Sequence, residues 1–280
     1  AHARAVAHEL EHLPGAHPLE ELARFHDRPG AGDAAQVEAD TAVAVGLTFE
    51  DPQIAEAIEQ TGVAASSINL GRQSRFLDPH PLERERALAD LRQAIADAVD
   101  LGAATVVFVP HYFGAALPDL MPWMSAVELE IELLFMHLRT LSDFADALGV
   151  SLCLKPVNHY ETHFMTRVEH AALITRRLNH PRVRIAANTF HMALEERDLA
   201  GVLREHADQL GLIYLSDSNQ RLPGGGLIDF KALGAALNET GYAGWYVLEA
   251  GDPGANAERA PHMLADLPAS LELLREAGIS

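Results

Sequence analysis

The sequence is poor in three things. It has one cysteine in 280 residues and 21 Lys+Arg against 40 Asp+Glu. Nowhere does it approach the roughly 18 consecutive apolar residues that a membrane span needs. A single thiol cannot close an internal disulfide, and Cys153 lies in the apolar run Leu152-Cys153-Leu154, where a small buried thiol is the ordinary reading. That usage points to a reducing, cytoplasmic compartment. The start, Ala1-His2-Ala3-Arg4, lacks the charged-then-apolar order of a secretion signal, so neither a membrane nor export is expected. The shortage of cations leaves a formal charge of −19. An anionic surface forgoes the counterion release on which most nucleic-acid binders depend, so no nucleic-acid partner is expected. What is present, 48% hydrophobic and 22% charged residues, is the profile of a globular protein with a full core.

Also missing are Pro/Gly/Ser linkers, low-complexity tracts and any repeat beyond an alternation of short apolar runs with longer helical stretches. That alternation is the mark of βα units and a parallel sheet. Strands are expected at Ala64 to Leu70, Thr105 to Pro110, Ser151 to Val157, Val183 to Thr189, Gly211 to Ser216 and Trp245 to Glu249, with a weaker one at Leu47 to Glu50. Helices over Leu82 to Leu101, Glu128 to Leu148 and Phe230 to Thr240 close on Gly102, Gly149 and Gly241, where left-handed caps belong. Seven strands in one unbroken series predict a single α/β domain over residues 1–280, a (β/α)8 TIM barrel with one strand unidentified. The missing strand comes first. Residues 1–32 read as an irregular N-terminal segment and the first βα unit as irregular: Arg4 to Leu13 look helical, and Leu19 to His26 is the only strand candidate.

In such a barrel the active site is built at the carboxyl ends of the strands. Polar residues are dense there: Asn69 with Arg72; His111 and Tyr112; Lys155, Asn158, His159 and Glu161; Asn188 and His191; Tyr214, Asp217 and Asn219; and Glu249. The segments LCLKPVNHYETHFMT, RIAANTFHMALEERD, LIYLSDSNQRLPGGGLIDF and GYAGWYVLEA resemble the xylose-isomerase-like sugar isomerase/epimerase family, which includes the ketose 3-epimerases. The resemblance runs from about Leu82 to the end, with four motifs in order at strand ends. It implies a TIM barrel acting on a small hydroxy-carbonyl molecule and assembling as a homodimer or homotetramer. It also implies a divalent metal, usually manganese, held by a Glu ending strand five, an Asp ending strand six, a His on strand seven and a Glu ending strand eight. These positions fall on Lys155, Asn188, Tyr214 and Glu249, and only Glu249 matches. The family's Arg after the strand-seven motif falls on Gln220, with Arg221 beside it. The family's His after the strand-six motif is present as His191, and the Glu of its N-x-Y-E stretch as Glu161.

Ligand chemistry leads to the same place without the family. An ammonium has no lone pair and repels a divalent ion, neutral Asn and Tyr are poor anionic ligands, and one carboxylate alone does not hold manganese tightly. No metal cofactor is therefore expected. Lys155 and Glu249 together carry no net charge. At a separation of about 4 Å they would attract by about 4 kcal/mol at an effective dielectric of 20. So paired, Lys155 suits an electrophilic role better than that of neutral base or amine nucleophile.

The expected function is a metal-independent isomerase or lyase acting on a sugar-like or natural-product substrate. Lys155 polarises a substrate oxygen while Glu249, with His191 or Tyr214, moves protons. Asn188, Glu161, His111, Tyr112, Asn69 and Arg221 are expected to line the substrate. Two other readings stay open: an inactive barrel kept as a binding or partner subunit, and imine formation by Lys155.

Other features read as ordinary structure. Asp217 and Asn219 are expected to cap backbone groups of their loop. The run Pro223-Gly224-Gly225-Gly226 is a turn rather than a phosphate cradle, which would need a following helix N-terminus. His159 carries little information in a chain with 15 histidines. Met121, Trp123 and Met124 form an apolar group suited to a lid or a subunit contact. The acidic stretch Glu128 to Glu132 reads as a solvated face.

Overall fold

Eight parallel strands pair in sequence order, and the eighth returns to the first, closing a barrel. The computed structural model describes residues 4–8, 44–48, 64–71, 75–249 and 260–279. The strands are β1 (Arg4–His8), β2 (Ala44–Thr48), β3 (Ala64–Asn69), β4 (Thr105–Phe108), β5 (Ser151–Leu154), β6 (Val183–Asn188), β7 (Leu210–Leu215) and β8 (Trp245–Glu249). Around them lie α1 (Pro81–Asp100), α2 (Ala126–Ala147), α3 (Val168–Leu178), α4 (Thr189–Glu195), α5 (Leu199–Glu205), α6 (Phe230–Thr240) and α7 (Ala260–Glu276). Among the described residues no helix is long and apolar enough to cross a membrane.

The first strand differs from the sequence reading. Arg4–His8 is not helical: it pairs with β2 on one side and β8 on the other. Its alanines favour a helix locally, but the open edges of β2 and β8 need a partner for their backbone groups, and closure decides. The alternative candidate, Leu19 to His26, lies outside the described residues. The second strand starts at Ala44, earlier than expected. β4 and β5 stop short of the expected ends, at Phe108 and Leu154. Pro110 and Pro156 lie just beyond, and neither has an N–H to extend a ladder.

The helices follow from their spacing and caps. α1 buries Ala87, Leu91, Ala94, Ile95 and Ala98 on one stripe, with Pro81 opening its first turn. α2 starts in a capping box, with Ser125 and Glu128 each bonding the other's backbone N–H. Gly102, Gly149 and Gly241 take φ of +71°, +76° and +67°, the left-handed conformation expected after α1, α2 and α6.

Two apolar layers result. The larger packs the outward strand faces against the helices, with Leu152, Ile185 and Ile213 meeting residues such as Leu91, Leu138 and Leu237. The smaller fills the barrel with Val107, Cys153, Ala186, Leu212, Tyr214 and Val247, contributed by β4 to β8. Strand side chains alternate faces, so two residues beyond Cys153, Ala186, Leu212 and Val247 stand Lys155, Asn188, Tyr214 and Glu249. The inward phase thus delivers four polar side chains to one end.

Burial inside the barrel pushes the Cys153 thiol up to about 12, against the opposing pull of the Arg184 charge. A raised thiol pKa keeps the group protonated and unreactive at ordinary pH. Native protein in mildly alkaline buffer should leave a disulfide reagent such as DTNB unreacted, and guanidinium chloride should release one thiol per chain. Prompt stoichiometric reaction of the folded protein would contradict this packing.

Candidate active site at the barrel mouth

At the carboxyl end of the barrel, Lys155 Nζ lies 2.7 Å from Glu249 Oε1, with side chains 7% and 22% exposed. The Lys155 backbone N–H is held by Phe108 O at 3.0 Å, so its stem rises from the ladder itself. The ammonium stands 3.9 Å from the centroid of the Tyr214 ring, a cation–π contact on a fully buried aromatic face. Asn188 Nδ2 donates to the other Glu249 oxygen, Oε2. The orientation of that amide is fixed from its other end, where Asn188 Oδ1 accepts from the backbone N–H groups of Phe190 and His191 and caps α4. Both oxygens of Glu249 therefore face donors. Lys155 uses one of its three ammonium hydrogens on Glu249.

His191 stands in the first turn of α4. Its Nδ1 accepts from the backbone N–H of Asn158 at 3.2 Å and lies 2.8 Å from Asn158 Nδ2. A backbone amide can only donate, so Nδ1 keeps its lone pair and the neutral ring carries its proton on Nε2. Asn158 follows Lys155 by three residues, and this contact joins the loop after β5 to the start of α4.

The remaining sequence candidates spread around the rim. Asn69 ends β3, and its Oδ1 accepts from Gly71 N at 3.0 Å. Tyr112 Oη is 3.4 Å from Gly71 O, a weak contact between the loops after β3 and β4. Arg72 lies outside the described residues. Glu161 is half-buried, and its backbone O accepts from Phe113 N at 2.6 Å. Arg221 is exposed in the turn after β7, where its backbone bonds Asp217 and Asn219. Asp217 does cap its loop, accepting from the backbone N–H groups of Ser218, Gly224 and Ile228. His159 turns to Glu195: its N–H and its Nδ1 lie 2.7 and 2.5 Å from Oε1 of that carboxylate. Burial acts to raise the Glu195 carboxyl, and the bonds from His159 outweigh it and hold the group low. Trp123 is 87% exposed.

Residues 30–276 match the family model described as the xylose isomerase-like TIM barrel. The chain belongs to that family. A D-psicose 3-epimerase of Ruminiclostridium cellulolyticum is 27% identical over 149 residues, 53% of this chain but only 48% of that relative's length. The 3-dehydro-D-guloside 4-epimerase of Escherichia coli is 27% identical over 201 residues, 70% of this chain and 76% of that protein. The crystal structure of a 3-keto-D-glucoside 4-epimerase from E. coli in its apo form superposes with a TM-score of 0.72 at 20% identity, covering 95% of this chain and 99% of that one.

Within this xylose isomerase-like barrel lies a second group of ligand-type side chains that the sequence reading does not bring together. His111, Glu130 and His163 each bring one ligand atom within 4.8 Å of the other two. From sequence, His111 is expected only as a substrate residue and Glu130 only as part of a solvated face. The second expectation is wrong: Glu130 is completely buried, while Glu128 and Glu132 are exposed. In a helix, residues two apart do not share a face. Counting back by fours from the buried Leu138 and Leu134 reaches Glu130, so the helical phase is the signal that marks it.

The Lys155–Glu249 contact should appear as energetic coupling. Lys155→Met should lower the unfolding free energy by roughly 2–3 kcal/mol, less than the about 3–5 kcal/mol for a fully buried pair because the stranded Glu249 carboxylate is partly exposed. Combining it with Glu249→Gln should recover part of that loss in urea denaturation. Additive single effects would mean the two groups do not act as a pair.

Proposed function

We propose that this barrel epimerises or isomerises a hydroxy-carbonyl substrate, sugar-like or derived from a natural product, with Lys155 serving where the resemblance implies a metal-binding carboxylate. The observation that carries this reading is the Lys155 ammonium beside Glu249 and over Tyr214 at the strand ends. It is supported by the family membership and by relatives named as sugar 3- and 4-epimerases.

The residues at the four family metal positions do not fit a divalent ion. A cation lies in hydrogen-bond contact with the single carboxylate, the amide of Asn188 takes that carboxylate's other oxygen, and Tyr214 presents its ring to the ammonium. No anionic ligand set remains for manganese there. The chemistry is therefore assigned to side chains alone.

In this scheme the two remaining ammonium hydrogens of Lys155 face the substrate carbonyl oxygen. Glu249 takes the proton from the adjacent carbon, and the bonding pair moves to the oxygen, giving an enediolate opposite the ammonium. Return of a proton to the other face, from Nε2 of His191, gives the epimer; the Tyr214 hydroxyl, expected as an alternative donor, is buried out of reach of solvent. A second exchange with solvent or Glu249 restores the donor. Asn188 keeps Glu249 oriented, and Asn158 keeps the His191 tautomer.

In D2O, ketoses or 3-keto-glycosides incubated with the protein should gain deuterium at the carbon next to the carbonyl. Lys155→Ala should slow that exchange by about 10²- to 10³-fold, the usual loss for one oxyanion donor, with circular dichroism unchanged. Borohydride added during turnover should trap no adduct. Full exchange by Lys155→Ala, or a trapped imine, would overturn the assignment.

A further inference from the structure

Beside the mouth, three elements bring together side chains that the reaction above does not use as acid, base or electrophile. His111 follows β4, Glu130 stands in the second turn of α2, and His163 follows β5. We infer that these three residues bind a divalent transition ion of the zinc class, at a site separate from Lys155 and Glu249. This goes beyond the proposed reaction and does not depend on it.

Glu130 carries the argument. Its side chain is 0% exposed; Oε2 lies 2.6 Å from His163 Nε2, and Oε1 has no hydrogen-bond partner among the described residues. A buried carboxylate oxygen left without a donor is costly, and a coordinated cation is one of the few things that satisfies it. The histidines are arranged to match. His163 Nδ1 lies 2.9 Å from Phe113 O, and His111 Nε2 lies 2.9 Å from Gly114 O. An imidazole that donates one N–H to a backbone carbonyl keeps its lone pair on the other nitrogen, the orientation that prepares a metal ligand. For His163 that other nitrogen is the one facing Glu130 Oε2 at 2.6 Å, where it donates a hydrogen bond, so an ion would bind there by displacing the Nε2 proton.

Two imidazoles and one carboxylate form the donor set of catalytic zinc sites, which leave a fourth position for water or a ligand. Nitrogen donors favour zinc, cobalt or nickel over magnesium and calcium. The His163 side chain is 22% exposed, which gives an ion access from solvent, and the −19 charge of the chain draws cations toward it. An ion here would also fasten two loops already locked together. Phe113, at φ +68°, donates its N–H to Glu161 O and accepts from the backbone N–H of His163. The site would thereby hold the segment carrying Tyr112 against the segment carrying Glu161.

The test is titration of chelator-stripped protein with Zn2+ by calorimetry and with Co2+ by visible absorption. One ion per chain is expected, with the intense visible bands of four-coordinate Co2+. Glu130→Gln and His163→Ala should each weaken binding by more than the about 10- to 100-fold that losing an outer-shell partner costs. Should His163→Ala fail to fold, His111→Ala gives the same reading. Lys155→Ala should bind the ion as the parent does. No stoichiometric binding, or unchanged binding by Glu130→Gln and His163→Ala, would overturn the site while leaving the deuterium-exchange result to judge the mouth. An ion lost on Glu249→Gln but kept on Glu130→Gln would overturn both.

Discussion

The contact between Lys155 and Glu249 organises the mouth of this barrel. The Lys155 ammonium stands at the strand ends among three partners. Glu249 neutralises it, Tyr214 offers it the electron-rich face of a buried ring, and Asn188 uses its side-chain amide donor to complete the carboxylate. Removing either charge would leave the other in a poorly solvated place, so the pair is expected to act as one unit. The same arrangement is the basis of the chemistry proposed for it. A fixed positive charge in a partly dehydrated site stabilises a developing oxyanion without reorganising when the reaction occurs.

Much of this geometry is legible in the sequence because a parallel barrel converts spacing into position. The inward phase of the strands, marked by Cys153, Ala186, Leu212 and Val247, leads two residues on to Lys155, Asn188, Tyr214 and Glu249. Once the strands are placed, the convergence of those four follows. Their contacts do not, since the amide of Asn188 and the ring of Tyr214 take roles set by rotamers and neighbours. Arg4–His8 escapes a sequence reading for a related reason. Its alanine-rich stretch carries a helical preference, and only the demand of two distant strand edges makes it β1.

Glu130 and His163 are hidden by two different effects. Glu130 sits among acidic neighbours that do face solvent, and the run of charge obscures the phase that carries it inward. His163 lies on a loop, where no periodicity assigns a direction; its place depends on the backbone pairing of Phe113 and Thr162 between the loops after β4 and β5. Rim residues such as Arg221 and Tyr112 belong to the same class. Strand ends are dictated by the ladder, whereas loop side chains are placed by contacts between segments far apart in sequence.

In the proposed reaction, charge at the barrel mouth is supplied by a lysine and not by an ion. Anomalous diffraction from crystals soaked in manganese and in zinc tests it most directly. No anomalous peak is expected within coordinating distance, about 2.0–2.2 Å, of the Glu249 carboxylate, and the Lys155 ammonium should stay in hydrogen-bond contact with it. A full-occupancy metal peak bound to Glu249, with Lys155 swung aside, would contradict it.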